Sequence, residues 1–246
     1  MGIKYIVNEN FFKKWSPEMA YTLGYLYADG SLEDASYLRG KYLRVSSVEK
    51  VNIIKIKNWL NSEHKIVKCL PREKNRQIRY LLRIGSHEIF NDLTSLGLFP
   101  NKSLTVKFPE ITKKYLSYFI GGYLDGDGCV RVERKINEKG EYVMKKLNVV
   151  FTCGSRIFLE KLAQELNKNT KTNQLNIYNG HRSFMLSYST GDSLKIFEFI
   201  YGKCKNEIFS RRKFDKFCEY LNLRPQRKNK KIIRIIEKFN FGRVVK

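Results

Sequence analysis

The sequence is short of the residues on which thiolate metal sites and disulfide scaffolds depend. Its five cysteines, Cys69, Cys129, Cys153, Cys204 and Cys218, are odd in number, irregular in spacing and never form CxxC. The three histidines, His64, His87 and His181, make no cluster with them. That pattern argues against a zinc site and against a disulfide framework, and leaves reduced, partly buried thiols as the expectation. No apolar run approaches the ~18 residues that span a bilayer. The opening MGIKYIVNENFFKKW has no apolar signal core, and Ile6 stands where a myristoylation signal needs Ser or Thr. P-loop and dinucleotide fingerprints are absent.

Acidic residues are scarce as well. Against 47 Lys and Arg stand 24 Asp and Glu, a formal charge of +23 on 246 residues. Such an excess adds nothing to a fold and costs self-repulsion. A polyanionic partner offsets that cost, and nucleic acid is the usual one. With no membrane segment in view, the expectation is a soluble intracellular protein with access to DNA, whether in cytoplasm, nucleoid or organelle. Hydrophobic residues reach 42%, enough for a sizeable core. The length suits one large domain or two of half that size.

What the sequence does have is a repeat. TLGYLYADGSL (22–32) is answered by IGGYLDGDGCV (120–130); Gly24 matches Gly122 and Asp29 matches Asp127, each 98 residues on. An extended stretch, a turn and a second extended stretch follow each copy: 31–37, Arg39–Gly40 and KYLRVSS in the first, CVRVERKI, NEKG and KLNVVFTC in the second. Alternation in VRVERKI puts Val130 and Val132 on one face and Arg131, Glu133 and Lys135 on the other. Next comes an amphipathic helix in each copy, 48–60 with Val51, Ile54 and Leu60 at helical spacing, and 155–166 with Phe158, Leu159, Leu162 and Leu166. Second hairpins turn around 72–76 and 179–181, and helices near 87–96 and 193–201 close the copies. The fold class is therefore α+β, two αββαββα halves at 1–105 and 106–221, with a linker at about 100–113 that contains Pro100 and Pro109. A basic tail, 222–246, holds nine Lys/Arg and one Glu; within it IIRIIEKF reads as a short helix with an apolar side and a basic side suited to an accessory DNA contact.

Each motif predicts an apolar helix, about 17–28 and 114–126, with small residues four apart: Gly24 and Ala28, Gly122 and Gly126. Residues i and i+4 share a face, so each helix carries a strip without bulk, and two such strips permit close approach. Each helix stops at a glycine, Gly30 or Gly128, directly after an aspartate. An acid at the negative end of a helix is unfavourable by about 0.3–1 kcal/mol. If the helices pair, Asp29 and Asp127 meet, and either a proton or a divalent cation must relieve them. Oxygen donors favour Mg²⁺ over zinc, with Mn²⁺ expected to substitute. A carboxylate-held cation beside a basic surface suits phosphodiester hydrolysis.

IGGYLDGDG resembles the LAGLIDADG motif at all nine positions in type, and TLGYLYADG resembles it more loosely. With two motifs and αββαββα halves, nearly the whole chain resembles the single-chain LAGLIDADG homing endonucleases. The resemblance implies a monomer with the motif helices at a pseudo-twofold interface (Gly24, Ala28, Gly122, Gly126) and two antiparallel sheets on DNA. It implies catalytic acids at Asp29 and Asp127, and a metal site drawn from Asp29, Asp127, Ala28 and Gly126. It further implies double-strand cleavage of a long specific target with short 3′ overhangs. One departure stands out: the sixth motif position is Asp125 in the second copy but Tyr27 in the first. No basic residue near the metals is assignable from the strand ends.

On the sheets, Arg44, Arg79, Arg83, Arg131, Glu133, Lys135 and Lys146 are the expected DNA-facing residues, with Arg39, Lys41, Arg72, Arg76 and Arg182 at hairpin tips. An EF-hand reading of DGDGCVR fails, because Cys129 and Val130 occupy positions that require a ligand and a glycine. A non-cleaving nucleic-acid binder on the same scaffold, an intron RNA maturase or a DNA-binding regulator, is the alternative; two acids facing phosphate argue for the enzyme.

Overall fold

The computed structural model describes residues 5–38, 40–71, 77–173, 176–203 and 208–240, without the side chains of 38, 142–145 and 240. Arg39, Arg72, Arg76 and Cys204 lie outside the described residues. The chain forms two compact units, Met1–Gly126 and Asp127–Lys246.

The first unit begins with α1 (Pro17–Asp29), whose start is set by Ser16: its side chain accepts from the Met19 N–H at 3.0 Å, and Pro17 follows at the first helical position. Then come β1 (Gly30–Ala35), β2 (Gly40–Ser47), α2 (Lys50–Trp59), β3 (Ile66–Cys69), β4 (Arg79–Gly85) and α3 (His87–Ser95). A short 3-10 turn, Lys102–Leu104, leads towards α4 (Leu116–Asp127). The strands make an antiparallel sheet in the order β1-β2-β4-β3. One face of it, Leu32, Leu43, Val45, Leu82 and Ile84, is buried with Ile53 and Ile56 of α2 and Ile89 and Leu93 of α3.

The second unit repeats the pattern with β5 (Gly128–Ile136), β6 (Tyr142–Cys153), α5 (Arg156–Thr170), β7 (Ile177–Gly180), β8 (Ser183–Tyr188) and α6 (Thr190–Tyr201). Its sheet has the matching order β5-β6-β8-β7. Leu147, Val149, Phe151, Leu186 and Tyr188 are buried with Phe158, Leu159, Leu162 and Leu166 of α5. The β5–β6 register slips by one between Glu133 and Arg134. Counted from α1 and from α4, the order αββαββα occurs twice, as the sequence repeat implies.

Three features differ from the sequence reading, and the helix of the basic tail agrees with it. Pro100 and Pro109 do lie in the connection before α4, yet the compact first unit runs on to Gly126, because α4 packs against α1. In α2 the buried residues are Asn52, Ile53 and Ile56, followed by Leu60, whereas Val51 and Ile54 are exposed; the apolar stripe is 53-56-60, one residue round from the face expected. Helix α7 (Arg211–Leu223) was hidden under six charged residues, five of them in its first six. In the basic tail the short helix expected from IIRIIEKF is present and packed: α8 (Lys230–Asn240) buries Ile232, Ile235 and Phe239. Phe239 stacks on Phe214 at 4.4 Å and meets Tyr201 edge-on at 5.6 Å, within a cluster that also holds Phe197, Phe209 and Phe217.

The α1–α4 pair is built on glycine. A Cβ on Gly24 would stand 2.0 Å from the Phe119 carbonyl oxygen, and one on Gly122 would stand 2.0 Å from the Tyr21 carbonyl oxygen. Both obstacles are helix backbone, which cannot swing aside. Gly30 is needed for the same reason and not as a left-handed cap: its φ is −90°, and a Cβ there would fall 2.6 Å from Leu26 O. Gly24→Ala and Gly122→Ala are each expected to destabilise the protein by about 3 kcal/mol or more. Gly191, in α6 with open space at its Cβ position, is the control. Gly191→Ala should stabilise by about 0.4–1 kcal/mol, both effects read by chemical denaturation.

Candidate functional site

Close backbone contact carries through to the helix ends. Gly126 lies against Ala28, where a Cβ would come 2.3 Å from the Ala28 Cβ and 3.6 Å from Asp29 Oδ2. Asp29 is the last residue of α1 and Asp127 the last of α4, so each carboxylate stands at the negative end of its helix. The Asp29 side chain is 25% exposed, with the Arg79 guanidinium 3.8 Å away. Arg79 also donates to Ser46 O and Oγ at 3.3 and 3.1 Å. At this exposure and distance such a pair contributes about 0–1 kcal/mol, so Arg79 can exchange partners at little cost. Burial, and then the Asp29 charge, push the Tyr25 phenol upward despite hydrogen bonds with Ser47 and Asn52; Tyr25 is a neutral neighbour.

Two buried lysines escaped the sequence reading. Lys102 is 6% exposed and donates to Tyr27 O at 2.8 Å, near the end of α1. Lys213 of α7 is 3% exposed and donates to Gly128 O at 2.7 Å, just past the end of α4. Each ammonium offsets the negative end of a motif helix. Lys213 could have been found: it lies four and seven residues before Phe217 and Tyr220, on the apolar face of its helix. Lys102 follows Pro100-Asn101 in irregular chain and gives no such signal.

The other face of the first sheet is polar. Strand alternation brings Ser31, Glu33, Tyr42, Arg44, Ser46, Arg79 and Arg83 to it. Glu33 accepts from Arg83 Nε and Nη2 at 3.3 and 3.1 Å and lies 3.7 Å from Arg44. The Arg83 guanidinium sits over the Tyr42 ring at 3.5 Å. Lys41, one residue from Tyr42, is on the opposite face: its ammonium lies over the Phe90 ring of α3 at 4.8 Å and meets Asn91. In the second unit Arg131, Glu133 and Lys135 are exposed on one side of β5, with Lys146 opposite Glu133. Glu133 accepts from Asn148 at 3.4 Å. Arg134, on the other side, pairs with Glu219 of α7. Arg182 is exposed in the β7–β8 turn at φ 56°, one residue beyond the expected turn centre. Among the described residues no group of three or more His, Cys, Asp or Glu gathers as a metal cluster.

The motif departure is accommodated by pairing. Asp125 is buried and accepts from the Tyr21 hydroxyl at 2.9 Å. Its counterpart Tyr27 donates to Leu96 O at 2.7 Å and meets the Phe119 ring edge-on at 5.3 Å. Burial pushes the Tyr27 phenol upward, so it holds its proton. Because the Tyr21–Asp125 bond is buried, Tyr21→Phe should cost about 1–3 kcal/mol. Tyr21→Phe with Asp125→Leu should recover part of that loss; denaturation of both single variants and the double variant measures the coupling.

Residues 114–222 match the model of the LAGLIDADG-like domain family. Among curated proteins, none is similar in sequence. Solved structures with this fold include the homing endonuclease I-WcaI bound to its DNA recognition sequence, 13% identical over 85% of this chain and 90% of that one, TM-score 0.57. The LAGLIDADG homing endonuclease I-LtrWI bound to target DNA is 12% identical over 96% and 99%, TM-score 0.59. I-SmaMI, bound to cleaved DNA, is 14% identical over 94% and 97%, TM-score 0.56. The second half of the chain thus matches a LAGLIDADG-like domain, and the whole chain shares the fold of these solved LAGLIDADG endonucleases. Among the described residues no helix is long and apolar enough to cross a membrane.

Proposed function

We propose that this protein is a site-specific DNA endonuclease that cuts both strands of a long target with Asp29 and Asp127, leaving short 3′ overhangs and working as a monomer. The observation that carries the reading is the glycine-seamed helix pair in which each helix ends on an aspartate. DNA-bound structures of I-WcaI, I-LtrWI and I-SmaMI on the same fold support it. The repeated halves, 1–105 and 106–221, would each take one half of the target, through Arg44, Arg79 and Arg83 in one and Arg131, Glu133, Lys135 and Lys146 in the other.

The residues at the helix ends fit a divalent cation. Their donors are hard carboxylate oxygens, with the Ala28 and Gly126 backbone beside Asp29, so Mg²⁺ is the ion of choice and Mn²⁺ a substitute. When bound, the cation supplies positive charge for attacking water and leaving oxygen. The chain's own groups do the rest. Asp29 and Asp127 fix where the cation is held, one acid for each strand. Lys102 and Lys213 offset the negative charge collected at the helix ends and are the site's proton-bearing cations. Arg79 leaves Asp29 for a phosphate when DNA arrives. Arg83 reads a base: Glu33 grips its Nε edge and Tyr42 fixes its plane, which leaves the other edge for O6 and N7 of a guanine.

Asp29→Asn and Asp127→Asn remove charge at nearly constant shape. DNA affinity, measured in Ca²⁺, should hold or rise, while cleavage in Mg²⁺ should fall by orders of magnitude. Either single variant cutting both strands at the wild-type rate would overturn the assignment. Wild type that holds one sequence tightly yet never cuts it would make the protein a non-cleaving binder. Arg83→Ala should relax specificity at one base pair by about 1–3 kcal/mol, read by profiling cleavage over a randomised target; an unchanged profile would remove Arg83 from base reading.

A further inference from the structure

Outside the helix ends and sheet faces, the second unit holds a groove of about 440 Å³ between α6 and α8, lined also by Asn169 and Thr170 of α5. α6 packs on β6 and β8, and α8 packs on α6, so the groove lies on the side of the helices away from the sheet. Its lining combines Phe199 and Ile235 with Lys231, Arg234 and Lys238 from α8 and Lys195 and Glu198 from α6.

Two observations give this groove a chemistry. Lys231, Arg234 and Lys238 recur at i, i+3 and i+7, one stripe along about 10 Å of helix. That length matches roughly three phosphates of a stacked strand. Glu198, the acid in the lining, is engaged by Asn229 Nδ2 at 2.6 Å. Lys195 is held by Asp192 and Lys171 O, both at 2.7 Å. Among the described residues, Lys231 and Arg234 enter no ion pair, so their charge is available to a ligand. The second observation is Phe199. Its neighbours on α6, Phe197 and Tyr201, are fully buried in the aromatic cluster with Phe214 and Phe217. Phe199 is only half-buried, makes no ring contact among the described residues and faces the groove.

An aromatic ring in a groove lined by a row of cations is the arrangement that takes unpaired bases and their backbone. A duplex keeps its bases stacked inside and would give Phe199 nothing to meet. We infer that the α6–α8 groove is a second nucleic-acid site, for a single strand, with a base against Phe199 and phosphates along Lys231, Arg234 and Lys238. The strand could come from RNA or from locally unpaired DNA, and the chemistry of capture is the same. This inference stands independently of cleavage.

The test uses the full chain and decamers of 5-iodouracil in ribo and deoxyribo form, photo-cross-linked and mapped by mass spectrometry, with affinities measured in parallel. Wild type should cross-link at Phe199. Phe199→Ala and the double variant Lys231→Glu/Arg234→Glu should lose that cross-link and bind single strands about tenfold or more weakly. Both should keep wild-type melting curves, and Phe199→Ala should bind duplex DNA as tightly as wild type. Phe199→Trp, which keeps a ring, should retain binding and so separates loss of stacking from loss of fold. Tighter ribo binding would name RNA as the strand, and equal or tighter deoxyribo binding would name DNA. Cross-links confined to other parts of the chain, or variants that bind single strands like wild type, would overturn the site.

Discussion

The contact between α1 and α4 bears on everything that surrounds the helix ends. Carbonyl oxygens of one helix occupy the volume that a side chain on the other would need, at Gly24 against Phe119 and at Gly122 against Tyr21. This is dispersion at minimum distance between two rigid backbones, with no side chain available to absorb error. It fixes the height of each helix relative to the other, and therefore where Ala28 and Gly126 meet and where Asp29 is presented. It also fixes the first sheet, because β1 begins at the residue after Asp29, with Gly30 pressed against Leu26. Trp15 stacks on Tyr115 at 5.8 Å near the start of the same pair, extending the seam over its length.

The fold was legible wherever the chain repeats itself. Element order, both hairpins of each copy and the small-residue strips could be read because period-2 and period-3.6 patterns are local properties of the chain. The face of α2 was misplaced because Val51, Ile53, Ile54 and Ile56 are all apolar, and hydrophobicity alone does not choose between overlapping stripes. Helix α7 was missed because its apolar positions are separated by charges that snorkel or pair, as Arg211 does with Asp215. The open sheet faces followed from alternation, but the side of Lys41 did not, since its place beside a hairpin tip concealed its strand parity. The two buried lysines were the real blind spot. Lysine is so often exposed that only the apolar face of α7 pointed to Lys213 and nothing pointed to Lys102, and both carbonyl partners are distant in sequence.

Charge is organised here by more than its sum. On the first sheet Glu33 holds Arg83 and Arg44 in place, and Tyr42 stacks beneath Arg83. Exposed pairs of this kind add little stability; their effect is to remove rotational freedom from side chains that would otherwise lose it on meeting a partner. A second organising device works inside the protein, where buried ammonium groups on backbone carbonyls take the place of solvent at two helix ends. The carboxylates at those ends can therefore stay close to protein without the whole end being acidic.

The difference between Tyr27 and Asp125 at the sixth motif position bears on engineering. Related by the same 98-residue offset, Tyr21 corresponds to Phe119 and Tyr27 to Asp125, and across the seam the partners are Tyr21 with Asp125 and Tyr27 with Phe119. Two copies of α4 would set a buried carboxylate against a phenyl ring, with no donor to satisfy it. Two copies of α1 would crowd a tyrosine against a tyrosine, where one side now has the smaller aspartate. Neither helix is a good mate for itself. A symmetric dimer of either half would carry a mismatched pair at this seam, and grafting one half onto a foreign one requires carrying over the matching pair of residues as a unit.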